Sequence, residues 1–441
     1  MMIANVRRVA MVGALTLGQA IAASAQGGAG RAYRAIFGGA TTDPSMHQSL
    51  DVTLSVAEAY DDNVIGGDLV GGFGVSPILQ SGLYTNLAPA VAYAHSGRHT
   101  AFSLNAGSNL RYYSGAREFI GSSHFAGADL SATFGRSVLS IGQTVSHSPS
   151  YFLGLLPSPA GLEAAAADAV ENAVHPESAY FSNSLFSLHY RLSGRSSVTA
   201  LGSYRLIDFP SRSAIDDVRS YSVGGKYGYD LSRNATLHFG YAYRDGRYSD
   251  APNQPRIVIH DIDAGVDYHR PLSLSRRTRI DFSLGSAVVS HPDPQRQAVE
   301  RQFRLLGSAA LTRDMGRTWA ARLHYNRGAG FAGGFNQPVF SDAVVASVDG
   351  FFNRRVDFHS AAGVSYGEVG LNRGGANKFR TYNGTLRVRA AISPGWALFA
   401  EYLYYYYDLG AIVVTASEVP LNLNRNSVRL GLTLWLPVVR R

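Results

Sequence analysis

Asn426-Ser427-Val428-Arg429-Leu430-Gly431-Leu432-Thr433-Leu434-Trp435-Leu436 carries a large apolar residue at every second position from Val428 to Leu436. Ser427, Arg429, Gly431 and Thr433 stand between them. A period of two is the signature of a strand with one apolar and one mostly polar face. A half-buried strand of a soluble sheet reads the same way, so the stretch decides the fold only through its repetition elsewhere. If this last strand pairs back with the first, the sheet closes. An apolar outside around a polar inside then describes a barrel in lipid.

The repetition is there. Leu50, Val52, Leu54 and Val56 alternate with Asp51, Thr53 and Ser55. The runs Leu237-Phe239-Tyr241-Tyr243, Trp319-Ala321-Leu323-Tyr325 and Leu386-Val388-Ala390-Ile392 alternate with His238, Gly240 and Arg244, with Arg322, His324 and Asn326, and with Thr385, Arg387 and Arg389. Short turns separate pairs of strands: Ser96-Gly97-Arg98, Gly135-Arg136, Ser193-Gly194-Arg195, Ser232-Arg233-Asn234, Met315-Gly316-Arg317, Asn353-Arg354-Arg355 and Ser393-Pro394-Gly395. Gly and Asn supply the positive φ that tight hairpins need. The connections at the opposite end are longer, as at 148–180, 328–338 and 408–424. Short turns at one end and long loops at the other is the asymmetry of outer-membrane barrels, and it implies an even strand number. The pattern predicts an all-β, up-and-down antiparallel transmembrane barrel of about eighteen strands (16–18) over 49–441. Tyrosines near strand ends, including Tyr404-Tyr405-Tyr406-Tyr407, read as interfacial girdles.

Composition agrees. The 441 residues include 47 Gly and 25 Tyr, no Cys, and only 16% charged residues. Without cysteine there is no disulfide or thiol chemistry. Beyond the first 25 residues no apolar run of the ~20 residues a spanning helix needs is present. The N-terminus differs. Arg7 and Arg8 precede an apolar stretch over 9–22, and Ala23-Ser24-Ala25 is a small-x-small site. That is a secretory signal peptide over 1–25, with cleavage expected after Ala25 and a flexible lead-in over 26–48. The formal net charge is +8, and loss of Arg7 and Arg8 leaves 8 − 2 = +6. No dense Lys/Arg block with interleaved aromatics is present, so no nucleic-acid surface is expected. The expected partners are outer-membrane lipid, lipopolysaccharide and the barrel-insertion machinery.

With the signal peptide, Tyr60-Asp61-Asp62-Asn63-Val64 after the opening strand and the closing Arg429-Leu430-Gly431-Leu432-Thr433, the chain resembles the β-barrel porin type 2 family of Gram-negative outer-membrane proteins. The resemblance covers about 50–439 as architecture. It implies an outer-membrane channel, with a link to exopolysaccharide loci, for passage or export of saccharides or small anions. One departure is at the end, where barrels of this kind usually finish on an aromatic residue. Here Trp435 is followed by Leu436-Pro437-Val438-Val439-Arg440-Arg441. A structural or adhesive outer-membrane protein is the alternative, although the loops are short for an adhesin.

Candidate chemistry is sparse. Asp61, Asp62 and Asn63 offer oxygens to a hard cation, but the rest of a calcium loop is missing and a strand-end turn explains them too. No cofactor motif appears. An enzyme needs a nucleophile with an oriented base. No Ser-His-acid set stands out among thirteen histidines, so the chain reads as a non-enzyme with histidines lining the lumen. The segment 162–174, with four consecutive alanines, reads as a short helix that either narrows the pore or caps it. By alternation, Arg111, Arg205, Lys226, Arg244, Arg304, Arg322, Arg387, Arg389 and Arg429 face inward. So do Asp129, Asp263, Asp267, Asp281, Asp349 and Glu401. An acidic arc facing a basic one, with weak anion selectivity, is the expectation.

Overall fold

The structure is a computed structural model. It describes residues 47–65, 79–113, 119–148, 179–209, 217–248, 256–268, 278–293, 298–316, 318–331, 337–370, 377–409 and 422–440. The expected signal peptide, nearly all of the lead-in and the 162–174 helix lie outside these residues. Eighteen strands account for almost everything described. The first nine are β1 (Gln48–Ile65), β2 (Leu79–Ser96), β3 (Thr100–Tyr113), β4 (Phe119–Phe134), β5 (Ser137–Ser148), β6 (Ala179–Arg191), β7 (Ser196–Asp208), β8 (Val218–Asp230) and β9 (Ala235–Tyr248). The second nine are β10 (Ile257–Tyr268), β11 (Thr278–Asp293), β12 (Ala298–Met315), β13 (Trp319–Gly330), β14 (Val339–Asn353), β15 (Val356–Val369), β16 (Lys378–Ser393), β17 (Trp396–Asp408) and β18 (Asn422–Arg440).

Each strand pairs antiparallel with the next in sequence, as β1–β2, β9–β10 and β17–β18 show. β18 returns to β1, with Val56 opposite Leu432 and Ala59 opposite Arg429. The barrel is therefore closed, and closure leaves no sheet edge at that seam. The short turns fall where the sequence places them. Gly135 (φ 57°) and Gly316 (φ 64°) take the left-handed conformation two of them require.

The faces are inverted relative to a soluble barrel. On β18, Val428 and Leu430 are 48% and 62% exposed on the outside, while Ser427 and Arg429 are 3% and 5% exposed on the inside. The same holds on β9, where Leu237, Phe239 and Tyr241 are exposed outside and His238 is buried inside. The β1–β18 seam carries an inner hydrogen bond between Ser55 Oγ and Thr433 Oγ1 at 2.9 Å. Glu58 is an outer-face exception and accepts the Thr85 hydroxyl at 2.8 Å.

Two local expectations change. The sequence places Asp61-Asp62-Asn63 after the first strand, but β1 continues to Ile65. Strand alternation then sends the two carboxylates to opposite faces. Asp61 is fully buried inside against Arg425. Asp62 accepts the Asn426 backbone N–H and side-chain amide from outside, each at 2.6 Å. Likewise the tyrosine run of β17 is split. Tyr405 and Tyr407 point inward, 7% and 1% exposed, with rings 5.9 Å apart. The partly exposed Tyr404 and Tyr406 alternate with them on the outer face.

Candidate functional site: a charged inner wall and an inward-folded hairpin

The inner wall is built by alternation. Every strand contributes each second side chain to it, so polar groups far apart in sequence meet at the same height. On β15–β18 and β1–β3 the cations gather. Arg425 Nε donates to Asp61 Oδ2 at 2.7 Å. Arg429 donates from Nε to the Tyr84 hydroxyl at 3.2 Å and from Nη1 to Glu401 at 3.5 Å. Arg111 lies 5.8 Å over the Tyr84 ring. Arg389 donates to Asp357 at 3.0 and 2.5 Å, and Arg387 sits in register between His359 and Glu401.

Across the barrel, on β8–β11, the acids gather. Lys226 lies 3.4 Å from Asp267 and 3.9 Å from Asp263. His238, buried beneath them, is 3.1 Å from Asp263 and 3.0 Å from Asp267. Arg244 bonds Asp261 at 2.5 Å. Asp281 faces inward opposite Ala310. Between the two arcs, Arg322 and His359 hold Asp349 at 2.5 and 2.6 Å. Asp129 accepts Ser103 Oγ at 3.4 Å, and Arg205 lies 5.8 Å over the Phe181 ring.

Sequence reading misses the partners: Asp61, Asp261, Asp357, Glu368 and Arg425. Only Asp357 stands directly opposite its arginine, Arg389. The Asp61–Arg425 and Arg244–Asp261 pairs are diagonal, since Asp61 is opposite Ser427 and Asp261 opposite Ala242. A diagonal pair cannot be read without the register. The histidines fall apart in the same way. His189 meets Thr199 at 3.0 Å, and His147 lies between His124 and Tyr180 rings. Among the described residues no cluster of three or more His, Cys, Asp or Glu has metal-binding geometry.

A second feature sits at the loop end. β12 pairs with β13 only from Gly307, opposite Arg327, down to Met315. Above that level β12 continues to Ala298 along β11 alone. β13 and β14 stay paired through Gly330 and Val339, and β14 stays paired with β15 through Val339 and Val369, but above the Gly307–Arg327 rung these strand ends turn off the β12 edge into the barrel. The Ala329 carbonyl accepts Arg244 Nη1 of β9 at 2.6 Å, and the Gln337 carbonyl accepts the Tyr248 hydroxyl at 2.7 Å. Phe331 packs on Tyr248 with ring centroids 6.0 Å apart, in a seat that a side chain at Gly246 would fill. Phe331, Phe340 and Ala329 are buried with Ile257, Ile259, Ala287 and Val289. Arg304 of β12 lies 4.8 Å over Phe340 and is ion-paired to Glu368 of β15. The hairpin thus forms an apolar second layer inside an otherwise polar lumen.

No protein-family model matches the chain, and no curated protein matches it. Solved barrels do resemble it. OccK2 (OpdF) of Pseudomonas aeruginosa, in complex with glucuronate, is 10% identical, with 89% of this chain and 98% of that chain covered at a TM-score of 0.43. OpdO of Pseudomonas aeruginosa is 12% identical over 89% and 98%, at 0.40. OccAB3 of Acinetobacter baumannii is 10% identical over 88% and 99%, also at 0.40.

Proposed function

We propose that the chain is an outer-membrane channel for small polar solutes, with small anions or acidic saccharides as the favoured class. The observation that carries this reading is the inversion of faces in a closed wall of eighteen strands. Leucines and valines are exposed outside while arginines and carboxylates are buried inside. An apolar exterior suits lipid, and a barrel of this strand number leaves an aqueous interior. The link to saccharide export rests on the resemblance to the type 2 porins alone. Lipopolysaccharide and the insertion machinery are the partners such a barrel would meet.

The charges support a weak preference rather than a strong one. Over β15–β18 and β1–β3, six arginines (Arg111, Arg387, Arg389, Arg425, Arg429, Arg440) stand among four carboxylates (Asp51, Asp61, Asp357, Glu401). The excess of two cations on a low-dielectric wall raises the local anion concentration. In a salt-gradient reversal-potential measurement in planar bilayers, the wild type should favour chloride over potassium modestly. Arg387→Ala with Arg389→Ala removes two cations and leaves Asp357 without its guanidinium, so the preference should fall to unity or reverse. Potassium preference in the wild type, or no change in the double variant, overturns the basic arc. Export is tested separately: sequencing of the outer-membrane form should begin at Gln26, and a protein retaining Met1 contradicts the signal peptide.

A further inference from the structure

We propose that the upper end of the β13–β14 hairpin, moving with the β15 end paired to it, is a gate that exchanges between two seats, the one inside the barrel and one within the wall. The inference deepens the channel reading and rests on it for its consequence, though not for the movement itself. The first seat is the one described: Phe331 and Phe340 buried against β9–β12, held by Arg244, Tyr248 and Arg304. The second seat is the unpaired upper edge of β12. Continuing the ladder from the Gly307–Arg327 pair puts Leu306 opposite Gly328, Leu305 opposite Ala329 and Phe303 opposite Phe331.

Three observations make the second seat a fit. Over 303–306 the β12 edge has no backbone ladder to β13 among the described residues, the Leu305 carbonyl accepting the Arg327 side chain at 3.1 Å in its place. Unpaired backbone groups facing lipid are costly, and a strand laid along the edge satisfies them. Secondly, Ala329 and Phe331 share strand parity with Leu323, which is 44% exposed on the outer face. Phe340 shares parity with Phe352, which is 60% exposed there. If the hairpin joined the wall, its buried apolar residues would face outward beside Phe303 and Leu305, already 64% and 63% exposed. The same residues therefore suit an apolar seat inside and an apolar surface outside. Thirdly, β13 leaves the β12 edge at Gly328 and Gly330, just past the last rung it shares with β12, where the absence of a Cβ lets a strand bend.

The inner seat gains apolar packing and occupies the lumen. The wall seat gains a ladder of backbone hydrogen bonds and clears it. Two arrangements with different compensations are what a two-state element requires.

The test uses the absence of native cysteine. Gly246→Cys with Phe331→Cys places two thiols side by side in the inner seat. Leu305→Cys with Ala329→Cys places them across the extended ladder. In the inner seat Ala329 is buried inside while Leu305 is exposed on the outer surface, so their side chains point apart and do not meet the geometry of a disulfide. Both pairs should bridge on mild oxidation in folded, lipid-embedded barrels, as read by mass spectrometry of the linked peptides. The 246–331 bridge should hold conductance low and the 305–329 bridge hold it severalfold higher, each reversed by reductant. Gly246→Leu fills the Phe331 seat without a cross-link and should raise open time. Bridging at 246–331 alone, or equal conductance of the two bridged forms in a barrel that conducts, overturns the gate, as does an unchanged open time in Gly246→Leu. Bridging at both sites in a barrel that never conducts supports the exchange and overturns the channel reading instead.

Discussion

Arg425→Ala should lower the stability of the barrel by about 3–5 kcal/mol, the usual loss when one partner of a buried ion pair is removed. The pair is buried on both sides: the side chains of Arg425 and Asp61 are 7% and 0% exposed. Nε and Nη2 of the guanidinium both donate to Asp61 Oδ2. It also bridges β1 and β18, the first and last strands of the wall. Removing the cation leaves a buried carboxylate with much of its compensation gone, at the seam where the sheet closes. The measurement is the urea midpoint of the protein folded into lipid, with the temperature at which the folded form disappears on semi-native gels as a second reading. The double variant Arg425→Ala, Asp61→Ala should recover part of the loss, because the stranded charge is gone. A single-variant cost below about 1 kcal/mol would place the pair among surface ion pairs and contradict its burial.

That pair also shows where sequence reading stops. Strand existence, turn positions and the two faces are legible because each depends on neighbours in the chain. Alternation over 428–436 gives a strand and its faces, and Gly316 gives a turn. Register is not local. Asp61 and Arg425 are 364 residues apart, and nothing in either segment says that they lie on adjacent rungs. The charge arcs are accordingly half visible. Arg389 and Arg429 read as inward from their own strands, while the acids that neutralise them need the pairing of β15 with β16 and of β17 with β18. The run Tyr404-Tyr405-Tyr406-Tyr407 fails for another reason. Four identical residues carry no alternation, so the inward face of Tyr405 and Tyr407 has no signal. The inward-folded hairpin is the deepest omission. Ala329, Phe331 and Phe340 obey the outer-face parity, and parity does not say in which layer a face is buried.

Leu432→Arg should cost about 2–4 kcal/mol if its position is near the middle of the bilayer. Leu432 lies on the outer face of β18, in register with Val56 on β1 and Leu398 on β17. Those neighbours are 43% and 53% exposed, so the site is an apolar field with no carboxylate directly opposite to receive a guanidinium. The choice of site matters, because Leu430 one rung away is opposite Glu58, which would offer an introduced arginine a partner. The comparison is Thr433→Arg, the next residue, whose side chain faces inward and bonds Ser55 at 2.9 Å. Its cost should be limited to that hydrogen bond, about 1 kcal/mol, since the new cation reaches the aqueous lumen. Both variants add the same charge to the same strand, so strand propensity and net charge cancel in the difference. Reversible unfolding in lipid vesicles then reads the membrane alone. A difference of about 1 kcal/mol or more, with Leu432→Arg the worse, is the expected result. Equal costs would mean that the outer face does not meet hydrocarbon, and the channel reading would lose the observation it stands on.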